Sequence, residues 1–413
     1  MTKRIATLRA LAAWTVPACA LAACADEATV TSVAIEEWTA EPEFEIGDQL
    51  EGDALFGRIH DVRPAADGSR VYVLDTQSLE VTIWTPDGTR IGRAGGRGEG
   101  PGEFSDPGPL FLFDDRFQVG DHSRYTTFAL EGEVLRTDGF PPGVGLLDRN
   151  MDMATQRRSF TFIQDFAMFA DGSVGALGLL PWVRDGNVPE EEDPAIPVLR
   201  ASQDDGAWGI DTLGLLSFTD VYATLDHPEI GEINPVQPWI RPDHFQMDPW
   251  NSTVVISRSL RDQPGVLELI EISLAGDSIW TRQVQLPPIP VTEDDVDTAV
   301  DEQAPFLGAD SSGPSPMLSR AIRASYIIPS HWPATNEIRL MSNGEIWFQP
   351  AGHEIPTMWY AVRKGEDDSP IRSVVLPERF RPLDVNATHV WGIRWDELDV
   401  QYVAGLRLGR AVG

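Results

Sequence analysis

Residues 59–88 contain Ile59-His60-Asp61-Val62, then Asp67-Gly68, Val71-Tyr72-Val73-Leu74-Asp75, Val81-Thr82-Ile83-Trp84 and Pro86-Asp87-Gly88. Short apolar runs separated by Asp-Gly turn formers read as an antiparallel meander of strands. The pattern recurs. Phe117-Gln118-Val119-Gly120-Asp121, a run from Tyr125 to Leu130, and Glu131-Gly132 repeat its second half, with Asp121 46 residues after Asp75. Ile163-Gln164-Asp165-Phe166 followed by Asp171-Gly172 repeats its first half. Meanders recurring at roughly 40–50 residues indicate the blades of a propeller.

Looser copies follow at 245–280, 337–376 and 380–408, so blades begin near 57, 107, 162, 243, 335 and 380. The expected fold is an all-β, six-bladed β-propeller of four-stranded antiparallel blades, with long loop inserts at 142–161, 181–205, 219–242 and 291–334. The last insert predicts a short helical segment. Thr292-Glu293-Asp294-Asp295 resembles a capping box, and a second periodic run extends from Met317 to Ile327. A strand within 29–48 is expected to close the ring against the last strands, around 395–408, which would remove an exposed sheet edge.

Composition agrees with this reading. Among 413 residues, 36 Gly and 32 Pro supply turns, while 13 Trp and 17 Phe supply strand cores. That mixture fits neither a helical bundle nor a disordered chain. Lys+Arg 32 against Asp+Glu 64 gives a net charge of -32, which repels phosphate backbones and argues against nucleic-acid binding. Lys3 and Lys364 are the only lysines. Both cysteines, Cys19 and Cys24, fall in the first 25 residues, so no intrachain disulfide staples the repeat region.

The N-terminus reads as an export leader. Lys3, Arg4 and Arg9 precede an uncharged stretch at 10–23, too short to cross a bilayer core of ~30 Å. Leu21-Ala22-Ala23-Cys24 resembles the bacterial lipobox, which implies a lipidated Cys24 and stable anchoring by acyl chains. Ala25 follows where an aspartate would resemble an inner-membrane retention signal, so the outer membrane, facing the periplasm or the surface, is the expected location. The organisation is therefore a signal peptide at 1–23, a lipid-anchored tether with closing strand at 24–56, and the propeller at 57–413.

Gly95-Gly96-Arg97-Gly98-Glu99-Gly100-Pro101-Gly102-Glu103-Phe104 resembles the inter-blade connector of NHL-type six-bladed propellers. Asp75, followed by Ser78, Glu80, Val81, Trp84 and Gly88, follows the spacing of that repeat, although Ser78 and Glu80 stand where the repeat prefers Asn and Arg. The resemblance covers roughly 57–135 and is most similar to a bacterial lipoprotein branch with no assigned activity. Other relatives are lyases and lactone hydrolases, and for those the resemblance implies a metal ion in the central channel. As a phosphate loop the glycine stretch fails: Pro101 and Gly102 stop a following helix, and Glu99 and Glu103 repel anions.

No local motif carries chemistry. The seven histidines show no metal-binding spacing, and no nucleophile elbow or calcium loop is present, so no catalytic residue is assigned. Separate blades can nevertheless bring residues together in one channel. His60, Asp61, Asp165 and His244 form the candidate set for Ca²⁺ or Zn²⁺; the competing reading makes the aspartates backbone caps. Asp75 and Asp121 read as turn anchors. His122 and Arg124 beside Asp121, and the loop tryptophans Trp182, Trp239 and Trp332, are candidate ligand contacts. The expected function is a membrane-anchored, non-enzymatic, monomeric module of the cell envelope that binds a protein or carbohydrate. The alternative is a metal-dependent lyase or lactone hydrolase.

Overall fold

A computed structural model describes residues 34–47, 55–121, 124–140, 144–146, 160–162, 166–178, 195–205, 207–223, 225–227, 231–233, 235–307, 316–352 and 357–411. After β1 (Ile35–Ile46), sheet 1 comprises β2 (Ile59–Pro64), β3 (Val71–Asp75), β4 (Glu80–Trp84) and β5 (Arg90–Gly95). Sheet 2 comprises β6 (Pro107–Leu112), β7 (Arg116–Asp121), β8 (Arg124–Ala129) and β9 (Val134–Gly139). Strands β10 (Val144–Leu146) and β11 (Phe160–Phe162) make a parallel pair. Sheet 3 holds β12 (Ala167–Met168), β13 (Val174–Leu177), β14 (Ala195–Asp204) and β15 (Ala207–Ser217). A small hairpin, β16 (Leu225–His227) and β17 (Gly231–Ile233), precedes sheet 4, which holds β18 (His244–Asp248), β19 (Thr253–Ser259), β20 (Val266–Ser273) and β21 (Ser278–Gln285).

Two helices follow, α1 (Glu293–Gln303) and α2 (Pro316–Ser325). The remaining strands are β22 (Glu337–Leu340), β23 (Glu345–Gln349), β24 (Met358–Arg363), β25 (Ile371–Val375), β26 (Phe380–Val385), β27 (His389–Trp395) and β28 (Gln401–Arg410). They form one eight-stranded sheet with β1, in the order β22-β23-β24-β25-β1-β28-β27-β26.

This is an all-β propeller of antiparallel meanders. It corrects one expectation, because six separate sheets do not appear. Among the described residues, four four-stranded sheets stand alone and eight strands run on as one. The reason is β1, which pairs antiparallel with β28 (Ala40 opposite Leu408) and parallel with β25 (Trp38 opposite Val374).

The second strand of the first meander is covered on both faces and reads as a continuous apolar run. All five residues of β3, Val71-Tyr72-Val73-Leu74-Asp75, are buried. Between sheets 1 and 2, Tyr72, Val81, Ile83, Phe104, Phe117 and Phe128 form one cluster, with Phe117 and Phe128 stacked at 5.0 Å. Full burial of side chains of this kind contributes about 1.5–3 kcal/mol each.

In the first two sheets an aspartate locks the entering connector in place. Asp75 accepts backbone N–H bonds from Gly57 (2.7 Å) and Arg58 (2.9 Å), just ahead of β2. Asp121 does the same for Asp106 (2.6 Å) ahead of β6. The glycine-rich connector is a turn. Gly95 has φ 90° and a Cβ added there would collide with the Phe104 ring, while the Phe104 N–H donates to Gly96 O at 2.8 Å.

Candidate ligand site at one mouth of the channel

The first strand of each meander is its inner strand, and β2 lies beside both β6 and β26. Three inner strands are bulged, β2 between Ile59 and Asp61, β6 between Pro107 and Leu110, and β26 between Pro382 and Asp384. Bulges re-aim side chains where a sheet edge meets a site. Asp61 and Asp384 occupy matching places, each just after its bulge.

The inner strands end at one mouth. Pro64, Leu112, Trp250 and Ser342, from four meanders, surround a cavity of about 610 Å³ there. Beside it lies the Arg63 guanidinium. Its Nη2 is 3.1 Å from Asp61, its Nη1 is 3.5 Å from Asp384, its Nε donates to Leu110 O at 3.0 Å, and its carbon lies 5.7 Å from the Trp250 ring. Asp61 also accepts the N–H groups of Val62 (2.9 Å) and Leu110 (3.1 Å), and Asp384 those of Ser342 and Val385, both at 2.8 Å. Burial pushes the Asp384 carboxyl up against the opposing pull of Arg63, and Asp61 and Asp384 together raise Arg63 against its own desolvation. The Asp61 carboxylate is thus committed to a knot that ties neighbouring meanders together.

The inner strands begin at the opposite mouth. His60 in β2, Arg381 in β26, Glu337 and Arg339 in β22, His244 in β18 and Arg241 just before β18 gather there within electrostatic reach of one another. Burial lowers the pKa of His60, Asp61 opposes that, and Arg381, Arg58 and Arg63 add to it. Burial likewise lowers His244, with Arg241 adding and Glu337 and Asp243 opposing. Both imidazoles are thereby held toward the neutral form. The His244 Nε2 and the Arg339 Nε are buried without a hydrogen-bond partner. Glu337 pairs with Arg339, and Asp243 pairs with Arg258 at 2.8 Å.

Two chain inserts join at this end. The Gln237 side chain donates to Ser325 O (2.8 Å) and accepts from the Ile327 N–H (2.8 Å), and Gln303 donates to Val236 O at 2.6 Å. Thr292 and Asp295 close a full capping box at the start of α1. Between the inserts and the turn after β19 lies a cleft of about 170 Å³, lined among others by Trp239, Ile240, Arg241, Pro329, His331 and Trp332.

The candidate residues sort accordingly. Trp239 is buried rather than exposed, in a core with Val296, Val300, Leu318, Ile322 and Tyr326, and its ring meets Trp332 at 6.1 Å. It forms the cleft wall from within, because the insert carries a small core of its own. Arg124 clamps the glycine connector, donating to Glu99 O (2.6 Å) and Glu103 O (2.8 Å), which is a structural use of its fork. His60 and His244 reach the same mouth, whereas Asp61 is held in the knot with Arg63. Cys24, His122, Asp165 and Trp182 lie outside the described residues. Among the described residues, no three His, Cys, Asp or Glu side chains converge as a metal-binding group. The arginines of the mouth went unnoticed in the sequence. Their signal is faint: Arg58, Arg241 and Arg381 each stand within three residues of an inner-strand start.

No protein family matches the chain, and no curated protein does. Solved structures do. A member of the DUF4221 family from Bacteroides vulgatus is 11% identical, covering 92% of this chain and 98% of its own, with TM-score 0.44. The calcium-binding protein regucalcin from Agrobacterium tumefaciens is 7% identical over 92% and 97%, TM-score 0.35. A PQQ-bound aldose sugar dehydrogenase from Streptomyces coelicolor is 12% identical over 90% and 98%, TM-score 0.36.

Proposed function

We propose that the chain is an exported β-propeller, lipidated on Cys24 and of NHL-like kind, that serves the cell envelope as a ligand-binding module. In this reading the eight-stranded sheet is two blades, β22 to β25 and β26 to β28 with β1, so the ring has six. The leader sequence supports export, and no helix among the described residues is long and apolar enough to cross a membrane.

One observation carries the binding role. The cleft between insert and propeller brings an aromatic wall, Trp239 and Trp332, beside Arg241 and His331, and Arg241 also faces His244 at the channel mouth. Rigid aromatic surface with a few polar groups is the make-up of a ligand pocket. A thermal-shift screen of the full chain in detergent against sugars, sugar acids and short peptides tests this. A ligand at 100 times its Kd adds ~2.7 kcal/mol, and His331→Ala should abolish that shift without moving the melting point of the free protein. A shift untouched by His331→Ala but lost on altering Arg70 or Asp114, at the other mouth, would overturn it.

A further inference from the structure

The protein carries twice as many acidic as basic residues, and its surface arginines mostly find carboxylates. Arg394 grips Glu45 with two bonds (2.7 and 2.8 Å), and Arg407, Arg410 and Arg379 pair with Glu43, Glu36 and Asp399. The insert-side mouth breaks this rule. Arg58, Arg241 and Arg381 have no carboxylate partner among the described residues, and Arg339 shares Glu337 while its Nε stays buried and unsatisfied. Arg339 and Arg381 each stand within two residues of the start of an inner strand, β22 and β26, and Arg241 stands three residues ahead of β18, so three inner strands bring a guanidinium to this mouth.

Arg58, Arg241 and Arg381 are exposed, but like charges that face one another across a mouth with no carboxylate beside them still repel. The carboxylates nearby are already spent: Asp61 on Arg63, Asp243 on Arg258. An incoming anion relieves that repulsion. Guanidinium forks match carboxylate and phosphate oxygens in pairs.

We propose that this mouth binds an oxyanion group, a carboxylate or phosphate of a small ligand, between Arg381, Arg339 and Arg241. The proposal deepens the ligand-binding reading and rests on it. The nearby cleft would hold the uncharged body of the same ligand against Trp332.

Isothermal titration calorimetry of the full chain in detergent, with inorganic phosphate, glucuronate and glucose as probes, tests the assignment. At least one anion should bind, and glucose should bind at least about tenfold more weakly, as the loss of a charge-assisted pair requires. Heat from glucuronate alone assigns a carboxylate ligand, and heat from phosphate alone a phosphate ester. Arg381→Gln, at an exposed position, should weaken the bound anion by about tenfold or more with the melting point unchanged. Arg116→Gln, whose partner is Asp115 on the far rim of sheet 2, should leave it unchanged. Neither anion binding, or an affinity indifferent to Arg381→Gln, overturns the proposal. Glucose binding as tightly as glucuronate overturns the oxyanion site and leaves the binding module standing.

Discussion

The Nζ of Lys364 lies 2.7 Å from Oδ2 of Asp248, joining the turn after β24 to the end of β18 in sheet 4. The same ammonium contacts Glu271 and, at 3.2 Å, the Thr253 hydroxyl. Apart from Lys3 it is the chain's only lysine, and it is buried between two meanders. Breaking a buried pair leaves an uncompensated charge, at a cost of about 3–5 kcal/mol. Lys364→Met, which strands two carboxylates, should lower stability by about that amount in denaturant unfolding. An unchanged midpoint would show that the two sheets do not depend on this clamp.

The closing strand has its own electrostatic signature. Hydrogen bonds from Arg407 first and His389 second lower the Glu43 pKa from 4.5 to about 2. A depressed carboxylate contributes stability that is present above its unfolded pKa and lost as pH falls through the folded value. Glu43→Gln should therefore melt below the parent protein at neutral pH. The gap should close between pH 4.5 and about 2. Because Glu43 is on the surface, the gap should also shrink in high salt. A constant gap across that range would refute this role for β1.

His244 gives a second pH dependence. Its folded pKa is held below the usual 6.5, chiefly by burial and then by Arg241. The unfolded chain therefore binds the proton first, and stability drains away as pH falls below 6.5 toward the folded value. His244→Gln should flatten the melting-point profile in that window and leave it unaltered above neutrality. A profile identical to that of the parent protein would mean the imidazole is free to titrate.

Divalent cations should not stabilise the protein. A cation at the insert-side mouth would meet Arg241, Arg339 and Arg381, and the Asp61 carboxylate is already shared by Arg63 and two N–H groups. EDTA, millimolar Ca²⁺ and millimolar Zn²⁺ should each leave the melting point in place. A specific shift of a few degrees for one metal, lost in Asp61→Asn, would favour the metal reading instead.

Much of the fold was legible because its repeat is written in turn chemistry. Asp67-Gly68, Asp87-Gly88 and the strand-ending Asp75 and Asp121 mark the first two sheets, and the capping box at Thr292 marks α1. The merging of the last strands into one sheet was not legible, because a parallel partner such as β25 leaves no mark on β1. The site was harder still. Whether Asp61 faces a metal or a guanidinium depends on Asp384, 323 residues away, and whether Trp239 is wall or core depends on helices packed over it.

The most direct test of the account is hydrogen exchange on the full chain with and without millimolar glucuronate. Ligand-induced protection is expected at the insert-side mouth, in 238–241, 327–334, 337–340 and 380–382. Protection confined to the opposite mouth, around Pro64–Arg70, Leu112–Asp114 and Trp250, would contradict it.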